Sequence, residues 1–596
     1  MESAQYIIGI DLGTTNSVVA YTEVNPGDGE GEIRFFSIPQ LVASGSVGEQ
    51  QTLPSFILMP GPNDVGEGAL SLPWNRDAAR AVGVFARDRG AELPGRLVSS
   101  AKSWLCHAGV DRNKAILPWE GPDDEAKLSP VEAQAAILGH IRDAWNHGMA
   151  GDDPSARMED QEILLTVPAS FDAVARELTA RASEMAGFGH VTLLEEPQAA
   201  FYAWLYNSGD KWRERVSVGD HVLVCDVGGG TSDFSLIEVT EEDGDLVLDR
   251  VAVGDHLLVG GDNMDLAMAH YTAARLRQEG KKKLDSWQMR GLWQSCRAAK
   301  EKLFAEDGPE AVPVTILGRG SSLIGGTIKT ELGQEEITRI LTDGFFPRVG
   351  RTAEPDNKPG SGMRELGLPY AKDPAITKHL ARFVNRREDS PLPTAVLFNG
   401  GVMKAAGLRG RVLDVLGDWA GAEVRELAGI DCDLAVARGA AYYGLARRGR
   451  GIRIRGGLAR SYYIGVEASM PAVPGLPAPL MAVCVAPFGM EEGTETDLPG
   501  REFGLVVGEQ ANFEFLGSNI RTGDEVGEVV EDWEDEIEPI TTLETMLEGE
   551  PGEEGSVLPV RLHARVTEVG TLELSCVARD DDRSWQLEFD VREKEE

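Results

Sequence analysis

A short segment that occurs twice constrains the fold of this chain more than any other feature. The first copy, IDLGTTNS, covers residues 10–17, and the second, CDVGGGTSD, covers residues 225–233. Each copy follows a short apolar run and precedes another one, which predicts a strand, a tight turn and a second strand. In both copies the first strand ends on an aspartate, Asp11 or Asp226. The repeat therefore predicts two related hairpins, one in each of two lobes.

The residues of both turns suit the binding of a nucleoside triphosphate. Glycine lets the backbone approach a ligand closely and direct its N–H groups at one anion, and threonine hydroxyls are further donors. The two aspartates would hold Mg²⁺ through its bound waters. One such turn is common in any hairpin, so the prediction depends on the pair. A P-loop is absent from the sequence, because Gly280-Lys281 continues into Lys282 rather than into Ser or Thr.

The length and the residue pattern divide the chain into domains. A chain of 596 residues exceeds what one hydrophobic core supports, so at least two domains are expected. Residues 1–448 mix apolar runs with helical segments and predict an α/β domain. Residues 449–461 are rich in arginine and predict a basic linker, which either docks on the acidic surface or stays flexible. Residues 462–596 alternate apolar and polar positions and predict a small β domain, with a largely irregular acidic loop at about 523–555.

The charge balance excludes some classes of partner. Asp and Glu number 97 against 58 Lys and Arg, which leaves a formal net charge of −39. Such a field repels nucleic acid and anionic lipid, so neither nucleic acid nor a membrane is expected as a partner. The first residues lack the basic start of a signal peptide, and no run approaches the ~20 apolar residues that cross a bilayer. A cytoplasmic location is expected.

Five further segments match one protein family in the order found there. They are VPASF at 167–171, EEPQAA at 195–200, GGDNMD at 260–265, NGG at 399–401 and the stretch 433–441. Together with the two hairpins they resemble the Hsp70 family, within the larger superfamily of actin, hexokinase and Hsp70. The resemblance covers most of residues 5–448 and implies a two-lobed, actin-like ATPase domain. The β domain resembles the family's peptide-binding β-sandwich only weakly, and no helical lid is expected after it.

Carried over residue by residue, the resemblance implies roles for the matching positions. Lys102 occupies the position of the family's catalytic lysine and would stabilise charge on the γ-phosphate and position the attacking water. Glu196 would help to orient that water. Asp11 and Asp226 would hold the hydrated Mg²⁺, and Asp233 a monovalent cation such as K⁺. Catalysis is thereby assigned to Lys102, Glu196, Asp226 and Thr231, and contacts to the β- and γ-phosphates to Thr14, Thr15, Asn16, Gly229, Gly230 and Thr231.

The segments that match the family's adenosine site depart from its pattern. Arg297 replaces an acid that would accept the ribose hydroxyls, and Phe304 replaces a small serine. Lys404 stands near the position of an arginine that stacks on adenine. ATP remains the expected nucleotide. The residues that the resemblance implies for adenosine binding are Arg297, Lys300, Phe304, Gly400, Gly401 and Lys404.

The function that the resemblance implies is that of a chaperone. Slow, Mg²⁺-dependent hydrolysis of ATP would change the affinity for unfolded or specific client proteins, and a co-chaperone or exchange factor is a further partner of this kind of protein. Without a lid, faster exchange of clients is expected. Two alternatives stay open. One is a small-molecule kinase of the same superfamily, which needs a general base near the γ-phosphate. The other is a nucleotide-gated scaffold with little hydrolysis.

Overall fold

The computed structural model describes residues 4–589 apart from several internal stretches. Every residue predicted for the site lies within the described part, whereas portions of the predicted linker and of the predicted acidic loop lie outside it. The internal stretches that are not described are 26–30, 108, 120, 122–125, 243–244, 256, 282, 306–307, 317–326, 357–367, 369, 387–390, 451, 453, 455–456, 459, 468–478, 492, 500–501, 548–554, 568–570 and 580–582.

The first lobe, residues 4–195, is built on a mixed sheet. Its strands are β1 (Tyr6–Leu12), β2 (Asn16–Glu23), β3 (Arg34–Phe35), β4 (Ile38–Ala43), β5 (Ser46–Gln50), β6 (Thr52–Pro54), β7 (Ile57–Leu58), β8 (Ala81–Val82), β9 (Leu97–Val98), β10 (Glu162–Val167) and β11 (Val191–Glu195). Its helices are α1 (Val84–Gly90), α2 (Ala101–Trp104), α3 (Pro130–Trp145) and α4 (Ala173–Met185). The main sheet has the order β11-β10-β1-β2-β3, and β6 also pairs with β2. Strand β1 is antiparallel to β2 and parallel to β10.

The second lobe, together with the helices that join it to the first, covers residues 196–447. Its strands are β12 (His221–Val227), β13 (Ser232–Glu242), β14 (Asp245–Val253), β15 (Ala311–Ile316), β16 (Ile328–Gly333), β17 (Ala395–Asn399) and β18 (Arg425–Glu426). Its helices are α5 (Glu196–Ser208), α6 (Gly261–Gln278), α7 (Ser286–Leu303), α8 (Gln334–Phe345), α9 (Ile376–Val384), α10 (Ala406–Ala420) and α11 (Ala435–Arg447). The main sheet has the order β14-β13-β12-β17-β18. Strand β12 is antiparallel to β13 and parallel to β17.

The two main sheets share one strand order, and the two predicted hairpins are equivalent parts of it. In each sheet the first strand of the hairpin is central, with its antiparallel partner on one side and a parallel strand on the other. Asp11 and Asp226 therefore lie at the carboxyl ends of the two central strands, the edge at which open α/β sheets bind ligands. This duplication confirms the two-lobed, actin-like α/β fold.

Helices α5 and α11 join the two lobes through close backbone packing. One apolar core contains residues of both central strands, such as Ile7 and Val222, together with residues of both helices. A side chain on Gly439 of α11 would collide with the backbone of Ala199 in α5. A side chain on Gly9 of β1 would likewise collide with the backbone of α11. The small residues of α11 are therefore what allows the two lobes to approach each other.

The β domain that follows consists of two packed antiparallel sheets. Its strands are β19 (Ser461–Glu467), β20 (Leu480–Ala486), β21 (Glu495–Asp497), β22 (Phe503–Val506), β23 (Gln510–Ser518), β24 (Val529–Val530), β25 (Glu538–Met546), β26 (Val557–Val566), β27 (Leu572–Ala578), β28 (Ser584–Gln586) and β29 (Glu588–Phe589). One sheet has the order β24-β20-β19-β23-β25-β29, and the other has the order β21-β26-β27-β28 with β22 also paired to β26. The predicted alternation is present in β26, where every second side chain from Val560 onward is buried. In the described part of residues 449–589 no helix occurs, so no lid is found there.

The prediction of a largely irregular acidic loop over residues 523–555 is wrong at residues 538–546, where β25 lies, whereas residues 523–537 contain only the two-residue strand β24. Strands β24 and β25 lie within that range, and β25 is nine residues long. Its burial alternates, with Thr541, Leu543 and Thr545 turned inward. Glu538 and Glu544 are the acidic residues of β25, and Glu544 lies on its outward face, between the buried positions 543 and 545. A half-buried strand needs only every second residue to be apolar, so it can carry such a charge. The remainder of the predicted loop, residues 548–554, lies outside the described part.

Arg450 and Ile454 of the predicted basic linker, with the preceding Arg448, are docked on the ATPase domain, whereas Leu458 and Arg460 contact the β domain. Arg448 pairs with Glu162 at 2.6 Å, and the guanidinium of Arg450 donates to the carbonyl of Val24 at 2.9 Å. Ile454 is buried, and its backbone N–H donates to the hydroxyl of Tyr202 at 2.9 Å. Of the two alternatives left open for this stretch, docking describes these residues. None of the helices in the described part of the chain is long and apolar enough to cross a membrane.

Candidate functional site

The two hairpins face one cavity of about 330 Å³ between the lobes. Each turn contributes to its wall, and so do residues of α2, α5, α7 and the segment after β17. A cavity of this size lies at the lower end of the range of small-molecule sites. The hairpin residues that line it are Gly13, Thr14, Thr15 and Asn16 from the first lobe and Gly228, Gly229 and Thr231 from the second.

The tips of the hairpins lie against each other, which explains why the second turn is made of glycine. A Cβ atom on Gly229 would overlap the hydroxyl of Thr15. A Cβ atom on Gly230 would lie 2.9 Å from Cγ2 of Thr14 and 2.7 Å from the hydroxyl of Ser103. Gly230 is thus placed behind the cavity wall, where it supports the contact between the turns. Only glycine leaves room for these threonine and serine side chains so close to the second turn.

Two carboxylates, Asp11 and Asp226, line the cavity together, as the hairpin repeat predicted. The hydroxyl of Thr166 donates to Asp11 at 3.3 Å, and the amide of Asn399 donates to Asp226 at 2.7 Å. Burial, followed by the negative charge of Glu196, raises the pKa of Asp11 to about 7. The same two causes raise the pKa of Asp226 well above its ordinary value. At Asp11, burial and the charge of Glu196 outweigh the ammonium of Lys102, and a bound cation would add the missing positive charge.

The donor set around these carboxylates fits a hydrated divalent cation. Asp11 and Asp226 supply carboxylate oxygens, and the Oδ1 atom of Asn399 is buried without a hydrogen-bond partner. Oxygen ligands and retained waters are what Mg²⁺ prefers. Sequence reasoning had not assigned Asn399 to this position. Its signal was present, since Asn399 ends the strand that runs parallel to β12 and is the register partner of Asp226.

Lys102 and Glu196 form a buried ion pair on the wall of the cavity. Lys102 lies in the short helix α2, and Glu196 begins α5. Burial lowers the pKa of Lys102, but the carboxylates of Glu196 and Asp11 outweigh it, so that the pKa is raised overall. Lys102 is therefore a fixed positive charge at neutral pH, and it lies beside the two metal-site carboxylates.

Asp233 does not line the cavity. It is buried in β13 as the register partner of Asp226 and accepts a hydrogen bond from the hydroxyl of Ser170. Burial raises its pKa, although hydrogen bonds from Ser170 and Thr231 act in the opposite direction. Asp233 thus lies on the strand next to Asp226 and contacts the segment that leads into α4.

The residues predicted for adenosine binding divide into two groups. Lys300, Phe304, Gly400, Gly401 and Lys404 line the cavity, whereas Arg297 does not. Arg297 is buried and pairs with Asp262 and, at 3.1 Å, with Asp265, both on α6. Lys300 also pairs with Asp265, at 2.7 Å, and Lys404 pairs with Asp433.

Part of the cavity wall is apolar. Phe304 packs against the core of the second lobe, whose residues Met264, Leu341, Val402 and Leu408 also line the cavity. Sequence reasoning had missed one further lining residue here, Glu301, which directly follows Lys300 on α7. No sequence motif singled out Glu301, because a glutamate on a helix is usually a solvated surface residue.

Comparisons with known proteins agree with this arrangement. The model of the Hsp70 protein family matches residues 61–330. The chain is similar to the chaperone protein HscA homolog of Methylococcus capsulatus, with 29% identity over 437 residues, which are 69% of this chain and 60% of that protein. The homolog of Bordetella pertussis is 29% identical over 61% of this chain and 49% of its own length. The homolog of Pseudomonas aeruginosa is 32% identical over 50% of this chain and 42% of its own length. The chain thus spans 42% to 60% of the length of these relatives.

Proposed function

Since this chain is a divergent member of the bacterial-type Hsp70 family, we propose that it is a chaperone that binds and slowly hydrolyses ATP with Mg²⁺. One observation carries the proposal. Two equivalent hairpins, one from each lobe, meet at a single cavity and bring Asp11 and Asp226 to its wall. A triphosphate bound there would be held from both sides.

The hairpins bind the phosphate chain in this proposal. Backbone N–H groups and threonine hydroxyls of both turns donate to the β- and γ-phosphates, and Asp11 and Asp226, with Asn399, hold the hydrated metal. When bound, Mg²⁺ neutralises negative charge on the phosphate oxygens. Asp233, behind Asp226, is the proposed site of a monovalent cation such as K⁺. The residues proposed to bind phosphate are Thr14, Thr15, Asn16, Gly229 and Thr231, whereas Gly230, which lies behind the cavity wall, supports the turn.

Hydrolysis depends on the ion pair in the wall. The ammonium of Lys102 stabilises the charge that develops on the terminal phosphate, and it is already oriented by Glu196. The carboxylate of Glu196 orients the attacking water, and Asp226 and Thr231, which line the same cavity, complete the proposed catalytic set. Lys300, Phe304, Gly400, Gly401 and Lys404 surround the nucleoside. No base for an acceptor alcohol is assigned, so a small-molecule kinase is the less favoured candidate.

The β domain is the proposed site for unfolded or specific client proteins. An extended client segment could add to an edge strand such as β25, which β29 covers at two positions in the part of the chain that the structure describes. A co-chaperone or exchange factor is the further partner proposed, and a cytoplasmic location, without nucleic acid or membrane partners, fits the charge of −39.

Single-turnover hydrolysis of ATP by the wild type and by Lys102→Ala tests the proposal. Both proteins should bind ATP with Mg²⁺. The variant should hydrolyse ATP at least roughly 100-fold more slowly than the wild type, because one electrostatic contact to the transition state is lost. Lys302→Ala, an exposed change on α7, is the matched control and should behave as the wild type. If both wild type and variant bind ATP and neither hydrolyses it, the nucleotide-gated scaffold replaces the ATPase. If the wild type does not bind ATP, the proposal fails.

A further inference from the structure

Given the chaperone function proposed above, we propose that residues 519–537 cover a second client-binding surface of the β domain. These residues, here called the strap, lie over strand β20 and over the outer face of its sheet. Release of the strap exposes this surface to an extended, apolar segment of a client protein. The strap is thus a cover that a client replaces.

The sheet that contains β19, β20 and β23 is apolar on both faces. On one face Tyr462, Val483 and Phe515 belong to the core between the two sheets. On the other face the neighbouring residues form a second apolar cluster with Trp533 and Ile537 of the strap, although the outer face of an antiparallel sheet commonly carries polar residues. The sheet residues of this cluster, all fully buried, are Tyr463, Ala482, Cys484 and Leu516. Without the strap this face would be an exposed apolar patch, which marks a site of protein interaction.

The strap binds the sheet in the way that an added client strand would. Its short strand β24 is antiparallel to β20 at the edge of the sheet. The backbone N–H of Cys484 donates to the carbonyl of Glu528 at 2.9 Å. The indole of Trp533 donates to the carbonyl of Leu480 at 2.9 Å. Main-chain bonds to an edge strand, together with a pocket for a side chain, are how a sheet recognises an extended peptide. The strap therefore shows the chemistry that the surface accepts, a short run of β-branched residues followed by an aromatic one.

The strap is held by few buried contacts for its length and carries an excess of like charge. The structure describes all of the strap, and its buried residues are Trp533 and Ile537. Eight of its residues are acidic and one, Arg521, is basic. Arg521 pairs with Asp524 at 2.7 Å and with Glu536 at 2.6 Å, and the remaining acidic residues repel each other. Both buried residues belong to the outer cluster, so release of the strap leaves the buried residues of the core between the sheets in place.

A reversible disulfide between β20 and β24 tests the proposal. Ala482 and Val530 are register partners, so the double variant Ala482→Cys, Val530→Cys places two thiols at a separation that a disulfide spans. The probe is fluorescently labelled α-lactalbumin, kept unfolded by reduction and carboxymethylation, and its binding to the full chain is measured by fluorescence anisotropy. The oxidised variant should bind the probe at least roughly tenfold more weakly than the wild type, and dithiothreitol should restore the binding.

A control disulfide and an opening variant complete the experiment. His563 and Ser575 are register partners in the other sheet, so the variant His563→Cys, Ser575→Cys should bind the probe equally in both redox states. Trp533→Ala removes a buried anchor and its hydrogen bond to Leu480. It should bind the probe more tightly than the wild type, and amide hydrogen exchange should become faster in residues 519–537 while that of β26 stays unchanged.

Equal binding of the probe by the oxidised and reduced forms of the β20–β24 variant would overturn the role of the strap. Client binding would then stand on another surface, such as the edge of β25. Binding by Trp533→Ala that is no tighter than that of the wild type would show that the strap is a fixed part of the fold, which also overturns the proposal. If neither the wild type nor Trp533→Ala binds the probe, the proposed binding of unfolded clients fails together with the strap.

Discussion

The hydroxyl of Ser100, in the first lobe, donates a hydrogen bond of 2.9 Å to the carboxylate of Asp262, in the second lobe. Asp262 also pairs with Arg297, whose guanidinium lies 5.3 Å from the ring centroid of Phe56 in the first lobe. The two lobes are thus joined by a polar contact and a cation–π contact, in addition to the packing of α5 and α11. Arg297 thus connects the two lobes through its contacts with Asp262 and Phe56.

Loss of the Ser100 hydroxyl should speed the release of nucleotide. If the lobes separate for release, the bond to Asp262 must break, and a hydrogen bond to a charged group contributes about 1.5–3 kcal/mol. Ser100→Ala should therefore release a fluorescent ATP analogue at least roughly tenfold faster in stopped-flow displacement. Ser46→Ala, an exposed change in the β4–β5 hairpin, should leave the rate unchanged. Equal rates for Ser100→Ala and wild type would show that this bond does not limit opening of the lobes.

A methyl group at position 229 should abolish nucleotide binding without unfolding the protein. The Cβ atom of Gly229→Ala would overlap the hydroxyl of Thr15, so the two turns must move apart. The expected result is loss of the rise in melting temperature that Mg²⁺ and ATP produce in wild type. Gly139→Ala is the matched control, because no atom lies within 4 Å of a Cβ there. Since Gly139 lies inside α3, its replacement should stabilise the fold by about 0.5–1 kcal/mol and retain the ATP effect.

The buried imidazole of His140 should make the fold less stable as the pH falls below about 6.5. Its Nε2–H donates to the carbonyl of Pro39 at 3.0 Å, and burial lowers its pKa to about 4. Between these pH values the unfolded chain binds a proton that the native state does not, so stability is full above 6.5 and is lost toward pH 4. The contribution amounts to about 1.4 kcal/mol per pH unit in that window.

Chemical denaturation of wild type and His140→Gln from pH 4.5 to 7.5 measures this effect. The stability difference between the two proteins should shrink as the pH falls, because the variant lacks the titrating group. His190→Gln, an exposed replacement, should follow the wild-type curve. Parallel curves for wild type and His140→Gln would rule out the buried imidazole as the source of the pH dependence.

Removal of Arg250 should loosen the linker and the β domain. Arg250 is buried in β14, where it pairs with Glu195 and donates to the backbone carbonyl of Gly457 in the linker. Arg176 pairs with the other carboxylate oxygen of Glu195 at 2.6 Å. Arg250→Ala should cost about 3 kcal/mol or more, because a buried carboxylate loses one of its two partners. Trypsin should then cleave the arginine-rich segment 447–460 faster and separate the ATPase and β domains. Arg80→Ala, an exposed change, should be cleaved at the wild-type rate. If Arg250→Ala is also cleaved at the wild-type rate, other contacts hold the linker in place.

The sequence alone determined the features that depend on neighbours in the chain. A strand, a glycine turn and a second strand are adjacent segments, so both hairpins and their terminal aspartates were predictable, and so was the alternation in β26. The presence of two copies made the two lobes predictable as well. The family's motifs added the remaining site residues in their order, and the structure brings most of them to one cavity.

Tertiary structure decided which partner each charge has. Arg297 binds acids from α6 instead of lining the cavity, and Glu301 lines it. Arg450 of the linker is bound to the carbonyl of Val24, and residues 538–546 of the predicted loop form β25. None of these outcomes follows from periodicity or turn chemistry. Ion pairs form between residues far apart in sequence, and a charged side chain suits a helix, a strand or a loop equally well as long as a partner or water receives its charge.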